Sequence, residues 1–286
     1  MNKLLKQAFT LIELLVVIAI IGILSGLIVI SMSGVTNKAT IAKAQVFSNS
    51  LRNSLMLDLI SEWKFDEGSG TSTIDSWQTR TGTLTSPTWK TGANCVYEDC
   101  LQFDTDDYVS ASGVSLTGDY SVEGWVKMDV AAGGADRVLV SLGSTSTGFP
   151  KFLVTYNTTK RPLIYLLSGN YKYGTTDCAD GKWHHWYFSV TGSASADIAN
   201  ARIYVDGKED SYPNTSTGAI APTLPTGSLY IGTGINSTVD NVRIYDTVLS
   251  SSQIKKQYYI GLNKLLISGG ITSREYAQRI GEMASY

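Results

Sequence analysis

The chain changes its hydrophobic rhythm three times. From Phe9 to Met32 it is apolar almost without interruption, about the 20 residues that span a bilayer as a helix. From Thr36 the pattern becomes amphipathic. Ile41, Ala44, Phe47, Leu51, Leu55 and Leu59 recur at three- and four-residue steps, with Lys38, Lys43 and Arg52 between them. The two stretches predict one helix over residues 9–61, about 80 Å long at the usual rise. Gly22, Gly26 and Gly34 lower its local stability and permit close helix contact.

From Ser61 the period falls to two. Strand candidates follow at regular spacing: Glu62–Phe65, Leu101–Phe103, Tyr120–Met128, Arg137–Leu142 and Phe152–Tyr156, then Leu163–Leu167, Trp183–Val190, Ala201–Val205, Leu229–Ile231 and Val239–Tyr245. Asp206-Gly207 signals a hairpin turn. No helical pattern intervenes, so the expected class is a β-sandwich. By parity, His184, Trp186, Phe188 and Val190 share one face, and Asp240 shares a face with Val242 and Ile244. The helical period returns over 252–266 and 273–283, with Ser250, Ser251 or Ser252 as the first cap and Gly269-Gly270 between the two. Leu262, Leu265, Leu266, Ile271, Tyr276 and Ile280 make this tail too apolar to hang free. It is expected to dock on the outer half of the N-terminal helix, the sandwich being an insertion in that stem.

One residue breaks the first apolar run. Glu13 is a carboxylate at membrane depth, where an ionised group costs several kcal/mol and is kept for a function with a partner. Lys3 and Lys6 place the N-terminus in the cytoplasm and everything after Met32 outside. A cleaved signal peptide has a shorter apolar core and leaves Glu13 unexplained.

Lys3 and Lys6, then Ala8, then Phe9-Thr10-Leu11-Ile12-Glu13 and the apolar stretch resemble the N-terminus of type IV prepilins and pseudopilins. The resemblance implies a leader over residues 1–8, cut by a prepilin peptidase between Ala8 and Phe9, and methylation of the new N-terminus at Phe9. It also implies that Glu13 meets the N-terminal amine of a neighbouring subunit during assembly by an inner-membrane machine. An α-amine is a suitable cation for a buried carboxylate. The family usually has Gly where Ala8 stands, which predicts slower or less complete cleavage.

The 286 residues carry 23 Lys and Arg against 25 Asp and Glu, so nucleic acid is not an implied partner. Few charges and many Thr, Ser, Gly, Tyr and Trp after residue 60 favour an extracytoplasmic β domain over a cytosolic enzyme. An exported chain can form disulfides. The close spacing favours Cys95–Cys100 closing a small loop, with Cys178 free or paired between chains; other pairings of Cys178 stay open.

The stretch after Ser61 resembles the laminin-G-like branch of the concanavalin A-like jelly rolls. The resemblance rests on Glu62-Trp63-Lys64-Phe65-Asp66-Glu67-Gly68, Leu101-Gln102-Phe103-Asp104, Val122-Glu123-Gly124-Trp125-Val126-Lys127 and Trp183-His184-His185-Trp186. Ile203-Tyr204-Val205-Asp206-Gly207 and Val239-Asp240-Asn241-Val242-Arg243-Ile244-Tyr245 complete it. The expected chain is thus α+β: leader 1–8, pilin-type helix 9–61, sandwich 62–251, helical tail 252–286. The resemblance implies one structural calcium at the sandwich edge, for which Asp66, Asp75 and Asp240 are the candidates. By analogy it also implies a glycan site. Tyr165, Asn170, Tyr171, Tyr173 and Asp177 form the best aromatic–polar cluster for it, with Trp77, Trp89 and Tyr212 as further loop candidates.

Hydrolysis is not expected. The catalytic branch carries Glu-x-Asp-x-x-Glu or Glu-x-Asp-x-Glu, and neither occurs here. Glu98-Asp99 and Glu209-Asp210 are adjacent, so each pair would point to opposite faces of a strand. His184 and His185 cannot chelate together for the same reason; one is expected to be buried and the other exposed. These readings predict a surface filament subunit, minor or at the tip, with a lectin-like head for glycan or surface protein. A pseudopilin of a secretion machine is the alternative, and a tethered glycan hydrolase the less favoured one.

Overall fold

In the computed structural model, the described residues are Leu11, Leu15, Val16 and Ile18 and most of 58–284. Positions 117, 129–136, 144–150, 156–160, 167–169, 178, 192–194, 213 and 217–225 are not among them. The chain divides into two compact units, Met1–Ser54 and Leu55–Tyr286. In the first, Leu11, Leu15, Val16 and Ile18 are helical and exposed. Ala8, Phe9, Glu13 and Cys178 lie outside the described residues. No helix among the described residues is long and apolar enough to cross a membrane.

The second unit is a sandwich of two antiparallel sheets. Its strands are β1 (Leu59–Trp63), β2 (Ser72–Ile74), β3 (Thr81–Thr85), β4 (Thr88–Thr91), β5 (Asp99–Phe103), β6 (Tyr108–Ser115), β7 (Tyr120–Met128), β8 (Arg137–Gly143) and β9 (Lys151–Thr155). They continue as β10 (Leu163–Leu166), β11 (Asn170–Tyr173), β12 (Trp183–Val190), β13 (Arg202–Val205), β14 (Lys208–Glu209), β15 (Asn214–Ser216), β16 (Thr226–Thr233) and β17 (Ser237–Tyr245). One sheet runs β14-β13-β12-β7-β17-β5-β4, with β1 also on β17; the other runs β15-β11-β10-β9-β8-β16-β6-β3-β2. The β-sandwich expected from the period-two pattern, and the jelly-roll class that the resemblance implies, are the ones observed. The helix expected to reach residue 61 does not: residues 59–61 are strand, with Leu59 and Ser61 paired to Tyr245 and Ile244 at the end of β17.

The core lies between the sheets and follows the alternation. On β7, Tyr120, Val122, Val126 and Met128 point inward, against Trp186, Phe188 and Val190 of β12 and Val239, Val242 and Ile244 of β17. Leu139, Phe152, Ile164, Leu229 and Ile231 close the core from the other sheet. Each such side chain contributes about 1.5–3 kcal/mol of apolar burial.

The tail forms α1 (Ser251–Ser268) and α2 (Ser273–Ala284). Ser250 caps α1 through a reciprocal capping box with Gln253, and Gly269 ends it at φ 80°. Ile254, Gln257, Tyr258, Gly261, Leu262 and Leu265 make one buried stripe. This stripe packs on the outer face of the first sheet, where Tyr258, Leu262 and Leu265 cluster with Trp125, Trp183, Cys95, Val96 and Cys100. The tail docks on the sandwich; the outer half of the N-terminal helix, on which docking is expected, lies outside the described residues. The reason is local: Tyr258 stacks on Trp125 at 5.8 Å, and any side chain at Gly261 would overlap the Trp125 ring. Cys95 and Cys100 are joined by a disulfide, and their loop supports this interface. The Trp183 indole donates to the Asn94 carbonyl at 3.2 Å.

Candidate functional site

The tail covers a charged network. On the outward face of β7, β17 and β1, Arg243 pairs with Glu62 at 2.9 Å and with Glu123 at 3.1 Å, and reaches Gln257 of α1 at 3.4 Å. The Tyr245 hydroxyl donates to Glu123 at 2.7 Å, and His185 Nε2 stands 3.4 Å from the other Glu123 oxygen, an ion-pair distance rather than an aligned hydrogen bond. Burial pushes the Glu123 carboxyl up, but His185, Arg243 and Tyr245 outweigh it and hold it at about 2. A general acid needs the opposite shift.

Asp240 belongs to a different environment. A bulge between Asp240 and Arg243, with Asn241 at φ 51°, inserts one residue into β17 against β7. Val239 and Val242 therefore both face the core, and Asp240 faces outward, not with Val242 and Ile244. Asp240 Oδ2 accepts the backbone N–H groups of Val96 and Tyr97 at 2.8 and 2.9 Å. Its Oδ1 is buried and has no hydrogen-bond partner among the described residues. Burial raises the acid well above the carboxylate range, and the nearby charge of Asp66 adds to the rise. Asp66 is raised too, mainly by burial, and accepts only a long 3.5 Å bond from Asp99 N–H.

Asp75 does not join them. Its carboxylate accepts from the Ser61 hydroxyl, the N–H groups of Glu62, Trp77 and Gln78, and Arg80. It pins the turn after β2. Among the described residues, no three His, Cys, Asp or Glu side chains stand close enough to hold a metal ion. The expected three-carboxylate set thus separates into Asp240, on which the charge of Asp66 bears, and a structural aspartate. The orphaned buried oxygen of Asp240 and the raised carboxyl of Asp66 are donors of the kind a cation takes; Asp75 does not fit.

The expected glycan cluster is also divided. Tyr165, Tyr171 and Tyr173 form a ladder of parallel rings with centroids 6.4 and 5.9 Å apart, half-buried with Val138, Leu153 and Leu163. Asn170 is fully buried, on the opposite face of β11 with Lys172. Lys172 donates to the carbonyls of Ala199 and Ala201 and lies over the Tyr212 ring. Tyr212 is further tied to β13 at Ile203, and Trp89 to the Gly70 carbonyl.

Asp177 lies elsewhere, in a cleft of about 790 Å³ between the β13–β14 hairpin, the 174–177 loop and the two tail helices. The hairpin turn makes it. Gly207 has φ +74°, and a Cβ there would sit 3.0 Å from the Met283 side chain and 3.3 Å from the Lys255 backbone. Only glycine lets both helices come this close. Asp210 fixes the floor by accepting N–H and hydroxyl bonds from Thr175 and Thr176 and the N–H of Ser211. His184 closes one side, with Nδ1 2.6 Å from Asp206 and Nε2 3.1 Å from Asp180. A ring facing a carboxylate at each nitrogen is matched only when both nitrogens donate. The His184 bond depresses the Asp180 carboxyl, and the same ring holds Asp206 down against the effect of burial. The expected exposed histidine is therefore half-buried in ion pairs, and His185 is the buried one. Lys255, Tyr258 and Arg279 reach the cleft from the tail. Their only mark in the sequence is the Asp206-Gly207 turn, which says nothing of what packs on it.

Residues 103–255 match the concanavalin A-like lectin/glucanases superfamily, and residues 4–29 match the prokaryotic N-terminal methylation motif. No curated protein sequence matches the chain. Domain 4 of AbnA, an extracellular arabinanase from Geobacillus stearothermophilus in complex with arabinotriose, superposes with TM-score 0.53 at 18% identity, over 69% of this chain and 97% of that one. A botulinum neurotoxin type C structure concerned with its interaction with two ganglioside molecules gives TM-score 0.56 at 10% identity, over 74% and 52%. Trypanosoma rangeli sialidase with 2,3-difluorosialic acid gives 0.51 at 15%, over 71% and 32%. At these identities the likeness is one of fold, and the chain spans about half of the toxin chain and a third of the sialidase. The chain belongs to the concanavalin A-like lectin/glucanase superfamily, carried here behind a prokaryotic N-terminal methylation motif.

Proposed function

We propose that this chain is a minor or tip subunit of a type IV pilin-like surface filament whose head binds glycan. The carrying observation is the fusion itself: a methylation motif at 4–29 and a lectin-like sandwich in one chain. The motif implies a prepilin peptidase and pilus-assembly partners, and a membrane-anchored chain later exposed at the surface. A unit spanning Leu55–Tyr286 would crowd a densely packed shaft, which favours a minor position. Glu13 would receive the amine of a neighbouring subunit. Solved structures of this fold that hold arabinotriose or concern gangliosides support a sugar as the ligand class. We read the head as a binder rather than a hydrolase, because Glu62 and Glu123 are both committed to Arg243.

Mass spectrometry of material sheared from cells tests this reading. A peptide beginning at methylated Phe9 in the sheared fraction is expected. The same peptide found only in the envelope would favour a pseudopilin, and an intact Met1 would end the pilin reading.

For the cofactor, the orphaned oxygen of Asp240 and the charge of Asp66 acting on it support one calcium held by both, completed by backbone oxygens. Melting of the chain in Ca²⁺ and in chelator checks it. An ion at a hundred times its Kd stabilises by about 2.7 kcal/mol, and equal melting temperatures would remove the site.

A further inference from the structure

We propose that the cleft between the β13–β14 hairpin and the C-terminal helices binds a neutral oligosaccharide, with the tail supplying one wall. This rests on the lectin reading and names its site, which differs from the tyrosine ladder on the other sheet.

Four features of the cleft point to a neutral polyhydroxylated ligand. Its volume, about 790 Å³, suits a small ligand enclosed on several sides. Its lining mixes acidic groups with Lys208, Lys255 and Arg279, and part of this charge is paired within the protein. His184 takes Asp206 and Asp180, Arg279 takes Glu275, and Glu209 takes Arg202. A charged ligand would meet no strong field of opposite sign, whereas sugar hydroxyls both donate and accept. The polar groups are also held in place before any ligand arrives, Asp210 by its five donors and Arg279 by the Trp183 carbonyl at 2.7 Å. Pre-set groups of this kind lower the ordering cost of binding.

The fourth feature is aromatic. Tyr204 lines the cleft half-buried, with its ring against the Tyr187 ring at 5.7 Å and its hydroxyl on Glu209 at 3.3 Å. A ring so fixed offers a surface to the C–H side of a sugar. Tyr258, Val205 and Met283 complete the apolar part of the lining. Lys255 brings a long donor from α1.

The test uses the full chain in a phosphocholine detergent, which carries no sugar. Arabinotriose, cellotriose and mannotriose are the probes, and 3′-sialyllactose is the acidic counterpart. Saturation-transfer NMR and calorimetry report binding. At least one neutral trisaccharide is expected to bind. Tyr204→Ala should weaken it about tenfold and Lys255→Ala by several-fold, as for loss of an aromatic anchor and of one hydrogen bond. Tyr171→Ala on the ladder should change it by less than about twofold. Lys255→Glu at a half-exposed helix position gives a second reading should Tyr204→Ala fail to fold. Binding untouched by the Tyr204 and Lys255 changes and lost in Tyr171→Ala would overturn the cleft and leave the lectin reading standing. Preference for sialyllactose through the same residues would overturn the neutral class. No binding of any sugar would overturn both.

Discussion

Glu123 and Asp240 sit on neighbouring strands of one sheet, point to the same side, and are equally hidden from solvent, at 1% and 0% exposure. They behave in opposite ways. Glu123 meets Arg243, Tyr245 and His185 and is held ionised at about 2. Asp240 meets two backbone N–H groups and the field of Asp66, and its acid form is favoured. Burial is common to both, so the partners decide. One carboxylate is part of what fastens the tail to the sheet, through Arg243 and Gln257. The other is left with an unmet oxygen, the observation on which the calcium proposal rests.

The largest break in this comparison is Arg243→Ala. It strips the cation from Glu62 and Glu123 together, and loss of one partner from a buried pair costs about 3–5 kcal/mol. Denaturant unfolding reads it, and an unchanged midpoint would mean the network carries no stability. Leu262→Ala attacks the cover over the network and should cost about 2–3 kcal/mol, the lower part of the range for such truncations, by the same measurement.

A pH series separates the two acids more finely. The Glu123 carboxyl lies at about 2 when folded against 4.5 ordinarily, so its contribution is complete above pH 4.5 and is lost as pH falls towards 2. Asp240 has the opposite sign: its raised folded pKa favours folding at low pH, and that contribution is lost as pH rises through the raised value. Glu123→Gln should therefore flatten the acid side of the stability profile, measured by melting from pH 2 to 7. The smallest effect is that of Asp240→Asn. At pH 7 without calcium it should leave stability unchanged or raise it by about 1 kcal/mol, because Asn keeps the shape without the buried charge. The same change should abolish any difference between Ca²⁺ and chelator. A marked loss of stability without calcium would show that Asp240 is a strut after all.

The strands legible in the sequence are those with branched and aromatic residues at every second position. The expected bounds of β7 and β12 coincide with the observed ones. Those passed over are rich in Thr, Ser and Gly, such as β3 (TGTLT) and β6 (YVSASGVS). Such residues are also the vocabulary of turns, so pairing alone makes them strands. The candidate glycan residues failed to converge for a related reason. Asn170, Tyr171 and Asp177 are close in sequence, but strand alternation and the following loop send them to a buried face, an outer ladder and the cleft.

By itself the chain determined its two halves: an apolar segment bearing Glu13 behind a basic leader, and a period-two region whose motifs specify a jelly roll. Periodicity and local turn chemistry suffice for the apolar segment and the β-sandwich, because each acts within a few residues; the jelly roll rests on the resemblance of the motifs. Only the tertiary structure decided that the outward face of β7 and β12 is buried, that Asn241 turns Asp240 away from the core, and that the tail closes on the hairpin at Gly207. These outcomes depend on contacts between residues more than a hundred positions apart for Asp240 and the Val96 loop, and about fifty for Gly207 and Lys255. Alternation tells which side of a strand a residue takes, and the fold alone tells what lies there.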